Sequence, residues 1–302
     1  MNTGEALLDL ARAGGRTSLF VVGTGKNAGK TVAMRAVATA AVQRGLTIGL
    51  TSAGRDGEMF DAVDAAAKPR LFLEPGTVIA TARALLSARH DYELLEETPW
   101  QTAAGPVVFA RVRAAAFFEL AGPPKASELR RCVERLREFG CDQTIVDGAI
   151  DRVAALAGGG DSVIVSVGPD AGTTIEDAAL NARALVRRLC LPQFDPAQPY
   201  ERIDGALTAA QAEALMKNGA PRQVVVSDPT RVVIAGTAFL RLAERVALRC
   251  ERPLHVVAVT VASIGRERDF EPDAFRDAVA RETGLPVFDV YAGAVSGEGK
   301  KA

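Results

Sequence analysis

Ser18-Leu19-Phe20-Val21-Val22-Gly23-Thr24-Gly25-Lys26-Asn27-Ala28-Gly29-Lys30-Thr31 is the stretch that decides the reading of this chain. An apolar strand over residues 18–22 runs into a glycine-rich turn. The turn closes on Gly29-Lys30-Thr31 at the start of a helical stretch, residues 31–44. Strand, glycine loop, Gly-Lys-Thr and helix in that order make a phosphate-binding loop of the Walker A kind. Its backbone N–H groups curl round a triphosphate, its lysine reaches the β and γ oxygens, and its threonine hydroxyl holds Mg²⁺. Gly23, Gly25 and Gly29 supply the backbone freedom, Lys30 is the lysine, Thr31 is the metal-holding hydroxyl, and Thr24, Lys26, Asn27 and Ala28 complete the nucleotide-binding loop. The helix N-terminus adds its dipole. The standard motif places a glycine five residues before its second glycine, where this chain has Thr24 between Gly23 and Gly25, so the loop is a variant.

Strand and helix signals alternate outward from that loop. A helix containing Leu7 and Leu10 stops at Gly14-Gly15, and residues 47–52 and 71–73 read as the second and third strands. Residues 77–88 read as a helix, because Ile79, Ala82, Leu85 and Leu86 fall on one face. Residues 92–95, 107–112 and 117–120 are strand-like and broken by Pro99 and Gly105-Pro106, as in a hairpin at a sheet edge. A helix follows with Ser127 as its N-cap, then strands at 144–146 and 163–167 and a long helix at 174–189. Beyond it, Thr208-x-x-Gln211 has the form of a capping box; residues 224–226, 232–235 and 256–261 read as strands, 237–249 and 272–281 as helices, and 287–290 as a last strand.

Repeated strand–helix units specify an α/β fold with a doubly wound, mostly parallel sheet. The proline-rich stretch 191–199 suggests a boundary, giving a nucleotide-binding domain over residues 1–191 and a C-terminal α/β extension over 200–302; a single continuous sheet is the alternative.

With 36 basic and 37 acidic residues the net charge is −1, which gives no basic field for nucleic acid or an anionic membrane. Trp100 and the three tyrosines form no stacking series. No apolar run reaches spanning length and no signal sequence is evident, so a cytoplasmic protein is expected. Cys132, Cys141, Cys190 and Cys250 are scattered and the chain has two histidines, which argues against zinc, iron–sulfur and histidine-based chemistry and for buried reduced thiols.

Three further loops fall at the carboxyl edge of the strands, where ligands bind in doubly wound sheets. Residues 144–147 carry Asp147 to a strand end beside Gly148, and Asp147 is the candidate second metal ligand; an Asp opening a turn is the structural alternative. Ala53-Gly54-Arg55-Asp56-Gly57-Glu58 is polar and glycine-flanked. Asp56 is its candidate for orienting the attacking water or holding metal, Glu58 shares that role, Arg55 is the anion contact, and a solvated turn has the same composition. In the 167–174 loop Thr173 and Thr174 read as helix caps and Asp170 as a candidate for a base or substrate; Ser227-Asp228-Pro229 reads mainly as turn chemistry.

The 23–31 loop resembles that of the dethiobiotin synthetases, where Gly-Thr also opens the motif six residues before Gly-Lys-Thr, and Val146-Asp147-Gly148-Ala149 is similar to that family's acidic-Gly-Ala segment, with Asp for Glu. The synthetases belong to the P-loop group that includes MinD-type ATPases, signal-recognition GTPases and metallochaperone GTPases. The resemblance implies a P-loop NTPase type of sheet and carries nucleotide and Mg²⁺ roles to Gly29, Lys30, Thr31 and Asp147. Thr51-Ser52-Ala53-Gly54-Arg55 lacks the substrate-binding lysine of the synthetases, and Lys26 stands four residues before Lys30, where the MinD type has its extra lysine at five. The segments 26–31, 54–58 and 146–152 together are similar to the NTPase component of a reactivating system for cobalamin-dependent lysine aminomutase.

The function expected is a Mg²⁺-dependent ATP hydrolase, with Lys30, Asp56 and Asp147 catalytic, that couples turnover to a conformational change in a partner enzyme. The alternatives are an ATP-dependent ligase or kinase acting on a small-molecule carboxylate or hydroxyl, and a nucleotide-binding regulator with little turnover. ATP is expected over GTP because no Asn/Thr-Lys-x-Asp guanine motif is present. Beyond the nucleotide, the partners expected are a protein or a small-molecule substrate, with a homodimer compatible, and neither nucleic acid nor membrane.

Overall fold

The computed structural model describes residues 2–25, 27–53, 70–87, 89–148, 160–218 and 223–291. The chain opens with α1 (Thr3–Arg12), whose N-terminus is closed by a reciprocal capping box between Asn2 and Glu5. Then come β1 (Ser18–Gly23), α2 (Lys30–Gln43), β2 (Ile48–Ser52), β3 (Leu71–Leu73), β4 (Val78–Ala82), β5 (Tyr92–Thr102), β6 (Gly105–Val112) and β7 (Ala116–Phe118). The second half holds α3 (Ala126–Glu138), β8 (Gln143–Asp147), β9 (Ser162–Val167), α4 (Ile175–Leu189), β10 (Tyr200–Arg202), α5 (Ala209–Asn218), β11 (Gln223–Val226), α6 (Gly236–Arg245), β12 (Leu248–Cys250), β13 (His255–Val261), α7 (Pro272–Thr283) and β14 (Val287–Asp289).

Nine strands form one sheet in the order β14-β13-β9-β1-β8-β2-β4-β6-β5. Every pairing from β14 to β4 is parallel, and β6 runs antiparallel between β4 and β5. The central strands are buried on both faces, so their side chains divide by parity rather than by polarity. Leu19 and Val21 of β1 pack with Leu7, Met34 and Val37 under α1 and α2. Phe20 and Val22 pack with Val133, Ala182, Val186 and Phe275 under α3, α4 and α7. The α/β, mostly parallel architecture read from the sequence is the one observed, and among the described residues no helix is long and apolar enough to cross a membrane.

The second half of the chain divides between two sheets. β10, β11 and β12 form a separate three-stranded parallel sheet with its own core of Leu207, Val224, Val226, Phe239, Leu242 and Leu248. β13 and β14 return to the main sheet beside β9.

Several local readings are corrected. Residues 77–88 are not a helix: β4 occupies 78–82 and a 3-10 turn follows at Arg83–Leu85. Val78, Ile79, Ala80, Thr81 and Ala82 are all buried between β2 and β6, and a continuous apolar run of this kind shows accidental helical spacing. Residues 232–235 are not a strand but the approach to α6, while the end of the expected 237–249 helix is the strand β12. Residues 71–73 pair with β7 in a two-stranded ribbon outside the main sheet. Ser127 is not the N-cap of α3, which begins two residues earlier than that reading, at Ala126 with Lys125 in the N-cap position. The hairpin at the sheet edge is β5–β6, and the Thr208–Gln211 capping box forms, each side chain accepting from the other residue's main-chain N–H at 3.4 and 2.9 Å.

All four cysteines are free thiols; Cys132, Cys141 and Cys250 are buried, but Cys190, expected inside, is exposed. Burial pushes the Cys132, Cys141 and Cys250 thiols up to about 12. Cys190 rises less, to about 11. A thiol reagent at pH 8 is therefore expected to modify Cys190 first, with the other three reacting only on unfolding; rapid reaction of more than one thiol in the native protein would contradict this packing.

Candidate functional site

The 23–31 loop leaves β1 at the carboxyl edge of the sheet. It is held there by close backbone contacts that need small residues. Thr24 donates its N–H to the Ser166 carbonyl at 3.0 Å, tying the loop to the end of β9. Asn27 (φ 59°) and Gly29 (φ 83°) both take the left-handed conformation that turns the chain back into α2. A Cβ on Gly29 would lie 2.9 Å from the Ala262 methyl, just past β13, and 3.2 Å from Val290, just past β14. Ala28 is buried beneath the loop.

Lys30 is the first residue of α2, and its Nζ donates back to the Gly25 carbonyl at 3.0 Å, so the lysine spans the loop it closes. The N-terminus of α2 follows Gly29 with no side-chain cap, in contrast to α1 and α4, which Asn2 and Thr174 cap. The first N–H groups of a helix have no intrahelical acceptor. Thr31 is half-buried in the first turn of α2.

β8 lies between β1 and β2, and Asp147 at its end is level with Val21 on one side and Ser52 on the other. The Asp147 carbonyl accepts from Ala53 N–H at 2.8 Å, and Gly148 N–H donates to the Val21 carbonyl at 2.9 Å. Asp147, half-buried, thus ends β8 at the same sheet edge where β1 runs into the 23–31 loop. β1 is also the point where the winding reverses: α2 lies on one face of the sheet and α4 on the other. Doubly wound sheets bind ligands in the crevice at such a point.

A cavity of about 200 Å³ lies beside the loop, lined by Thr24, Gly25, Gly168, Asp170 and Ala171. Asp170 is exposed in a 3-10 turn, Pro169–Ala171. The helix-capping reading of the neighbouring threonines holds, since Thr174 accepts from Asp177 N–H at 3.1 Å. The turn at Asp228 is structural: the buried carboxylate accepts from Thr230 N–H at 3.0 Å and faces Arg252 at 3.4 Å.

Lys26, Arg55, Asp56, Glu58, Ala149, Asp151 and Arg152 lie outside the described residues. Among the described residues no cluster of three His, Cys, Asp or Glu side chains is placed to hold a metal ion. Mg²⁺ needs no such cluster, because it keeps several waters and takes one or two protein oxygens plus phosphate. Thr31 and Asp147 are of that kind.

Gly168 is the residue that sequence reading did not single out. A Cβ there would stand 2.9 Å from both Ala28 Cα and the Asn27 carbonyl, backbone atoms of the loop. Only the glycine after β9 lets the two loops meet, and the sequence shows a strand-to-helix glycine without showing what presses on it. Gly168→Ala is expected to cost about 1–3 kcal/mol in urea unfolding through overpacking. Gly160→Ala, whose Cβ meets nothing within 4 Å among the described residues, is the control. Equal stability of the two variants would mean that the loops do not meet as described.

No protein-family model, curated protein or solved structure matches this chain.

Proposed function

We propose that the chain is a Mg²⁺-dependent nucleoside triphosphatase of the P-loop type, with ATP as its nucleotide, coupling hydrolysis to a conformational change in a protein partner as a reactivating or maturation factor. The observation that carries this reading is the loop geometry: left-handed Asn27 and Gly29 wrap the backbone in front of an uncapped α2, with Lys30 drawn across it onto Gly25. Such a cradle offers N–H donors, a helix dipole and a cation to a triphosphate.

In this reading the loop amides and Lys30 bind the β and γ phosphates, and Thr31 and Asp147 hold Mg²⁺, which would neutralise charge developing on the phosphate oxygens. Asp56 orients the attacking water, and residues 54–58 respond to the γ-phosphate. The absence of a lysine among Thr51, Ser52 and Ala53 supports a triphosphatase over a synthetase-like ligase.

Phosphate release from Mg·ATP by the purified chain, with no added substrate, tests the proposal. Basal turnover supports it; tight ATP binding with no release until a small carboxylate or hydroxyl compound is added would favour the ligase or kinase instead. Asp56→Ala is expected to slow hydrolysis with little change in ATP affinity. The amides of residues 54–58 are expected to gain hydrogen-exchange protection with a non-hydrolysable ATP analogue and lose it with ADP. Equal protection in both states, with wild-type turnover in Asp56→Ala, would remove the switch.

A further inference from the structure

β2 and β4 run parallel and side by side, and their register pairs are Gly49 with Val78 and Leu50 with Ile79. β2 continues to Ser52 and β4 to Ala82, so at the carboxyl edge the two strands run past the ladder that joins them. The segment 119–123, between β7 and α3, crosses that edge as a strap. Leu120, Ala121, Gly122 and Pro123 are all buried in it, and a buried backbone needs partners for its polar groups.

Two strand hydroxyls supply them. Ser52 Oγ donates to the Leu120 carbonyl at 3.1 Å and accepts from Gly122 N–H at 3.2 Å. Thr81 Oγ1 repeats the pattern one residue out of step, donating to the Glu119 carbonyl at 2.9 Å and accepting from Ala121 N–H at 3.0 Å. The strap lies so close to β2 that a Cβ on Gly122 would stand 2.0 Å from the Ser52 carbonyl oxygen and 2.4 Å from Thr51 Oγ1. Each hydroxyl therefore satisfies one backbone donor and one backbone acceptor of the strap, which accounts for polar side chains at the ends of two otherwise apolar strands.

The end of β2 held in this way is the one against which Asp147 is set. Ser52 is level with Asp147 in the β2–β8 register, and Ala53 N–H bonds the Asp147 carbonyl at 2.8 Å. We propose that Ser52 and Thr81 are positioning residues: by tying the strap across the ends of β2 and β4 they fix the β2 end, and through it the backbone of Asp147. In the triphosphatase reading, on which this second step rests, the clamp thereby sets how well Asp147 holds Mg²⁺. Groups that orient a metal ligand from behind are worth about 10–100-fold in metal affinity.

Amide exchange read by NMR in the nucleotide-free chain tests the clamp with no ligand present. Ala53 N–H is expected to exchange at least ~10-fold faster in Ser52→Ala and in Thr81→Ala than in the wild type. Thr81 is the sharper site, because among the described residues its hydroxyl bonds the strap alone. Thr98→Ala is the matched control: that hydroxyl also accepts one N–H, from Trp100 at 3.2 Å, and donates to one carbonyl, Val107 at 2.8 Å, but in the β5–β6 hairpin. With Mg·ATP, both clamp variants are expected to raise the Mg²⁺ concentration at half-maximal hydrolysis about 10-fold while ATP affinity at saturating Mg²⁺ is kept. Ala53 exchange that is unchanged in either clamp variant, or raised as much by Thr98→Ala, would overturn the proposal. So would slower turnover in the clamp variants with the Mg²⁺ dependence unmoved. A wild type that neither binds nor hydrolyses Mg·ATP would remove the triphosphatase reading alone, and the exchange comparison would still decide the clamp.

Discussion

Lys30→Ala is expected to abolish measurable turnover and to weaken Mg·ATP binding at least ~100-fold, while the protein remains folded. The lysine is half-buried at the mouth of the loop, and its ammonium rests on the Gly25 carbonyl, a backbone acceptor within the same loop. In the proposed complex that ammonium moves onto the β and γ phosphate oxygens. Hydrogen bonds to charged groups are worth about 1.5–3 kcal/mol each, and each 1.4 kcal/mol is tenfold in affinity, so losing two of them accounts for the expected weakening. The cost to the fold is smaller, since the ammonium's contact with the Gly25 carbonyl is a single charge-assisted bond of about 1.5–3 kcal/mol, or several degrees of melting temperature. Isothermal titration with Mg·ATP, with thermal unfolding as control, separates the two effects. Wild-type affinity and turnover in a folded Lys30→Ala variant would take the loop out of the mechanism.

What the sequence made legible follows from where each signal resides. The loop was readable because its requirements are local: Gly29 needs a positive φ, Lys30 and Thr31 open a helix, and the apolar β1 precedes them. The parallel sheet was readable because strand and helix periods alternate over the whole chain. β4 was not, because a strand buried on both faces has no alternation to distinguish it, and Ile79 and Ala82 fall three apart by chance. The return of β13 to β9 was equally hidden, since strand order is set by packing between distant segments: Val163 and Val165 of β9 and Val259 and Val261 of β13 share one cluster, yet nothing local to 255–261 names that partner. The same holds for Gly168, whose constraint is imposed by Asn27 and Ala28. The backbone demands of a turn are written in neighbouring residues; the walls around it come from elsewhere in the chain.

Asp147→Asn is expected to reduce single-turnover hydrolysis by about tenfold to a thousandfold while changing ATP affinity little. The two quantities separate because different groups carry them. Phosphate affinity in the proposed complex comes from the loop amides, the α2 N-terminus and Lys30, all of which the substitution leaves in place. Metal positioning in that complex would depend on Asp147 at the end of β8, which the register holds between Val21 and Ser52 with its main chain pinned by Ala53 N–H. Asparagine keeps the shape of that side chain but not its charge, so Mg²⁺ loses an anionic anchor and the stabilisation of charge in the transition state falls by the amount typical of removing one electrostatic group. Raising Mg²⁺ should recover part of the rate, which a defect in folding would not allow. Aspartate and asparagine serve a turn about equally well, so the substitution discriminates where alanine would not. If Asp147 only opens the turn at Gly148, the asparagine variant hydrolyses at the wild-type rate with an unchanged Mg²⁺ dependence, and the metal must then be held by other residues.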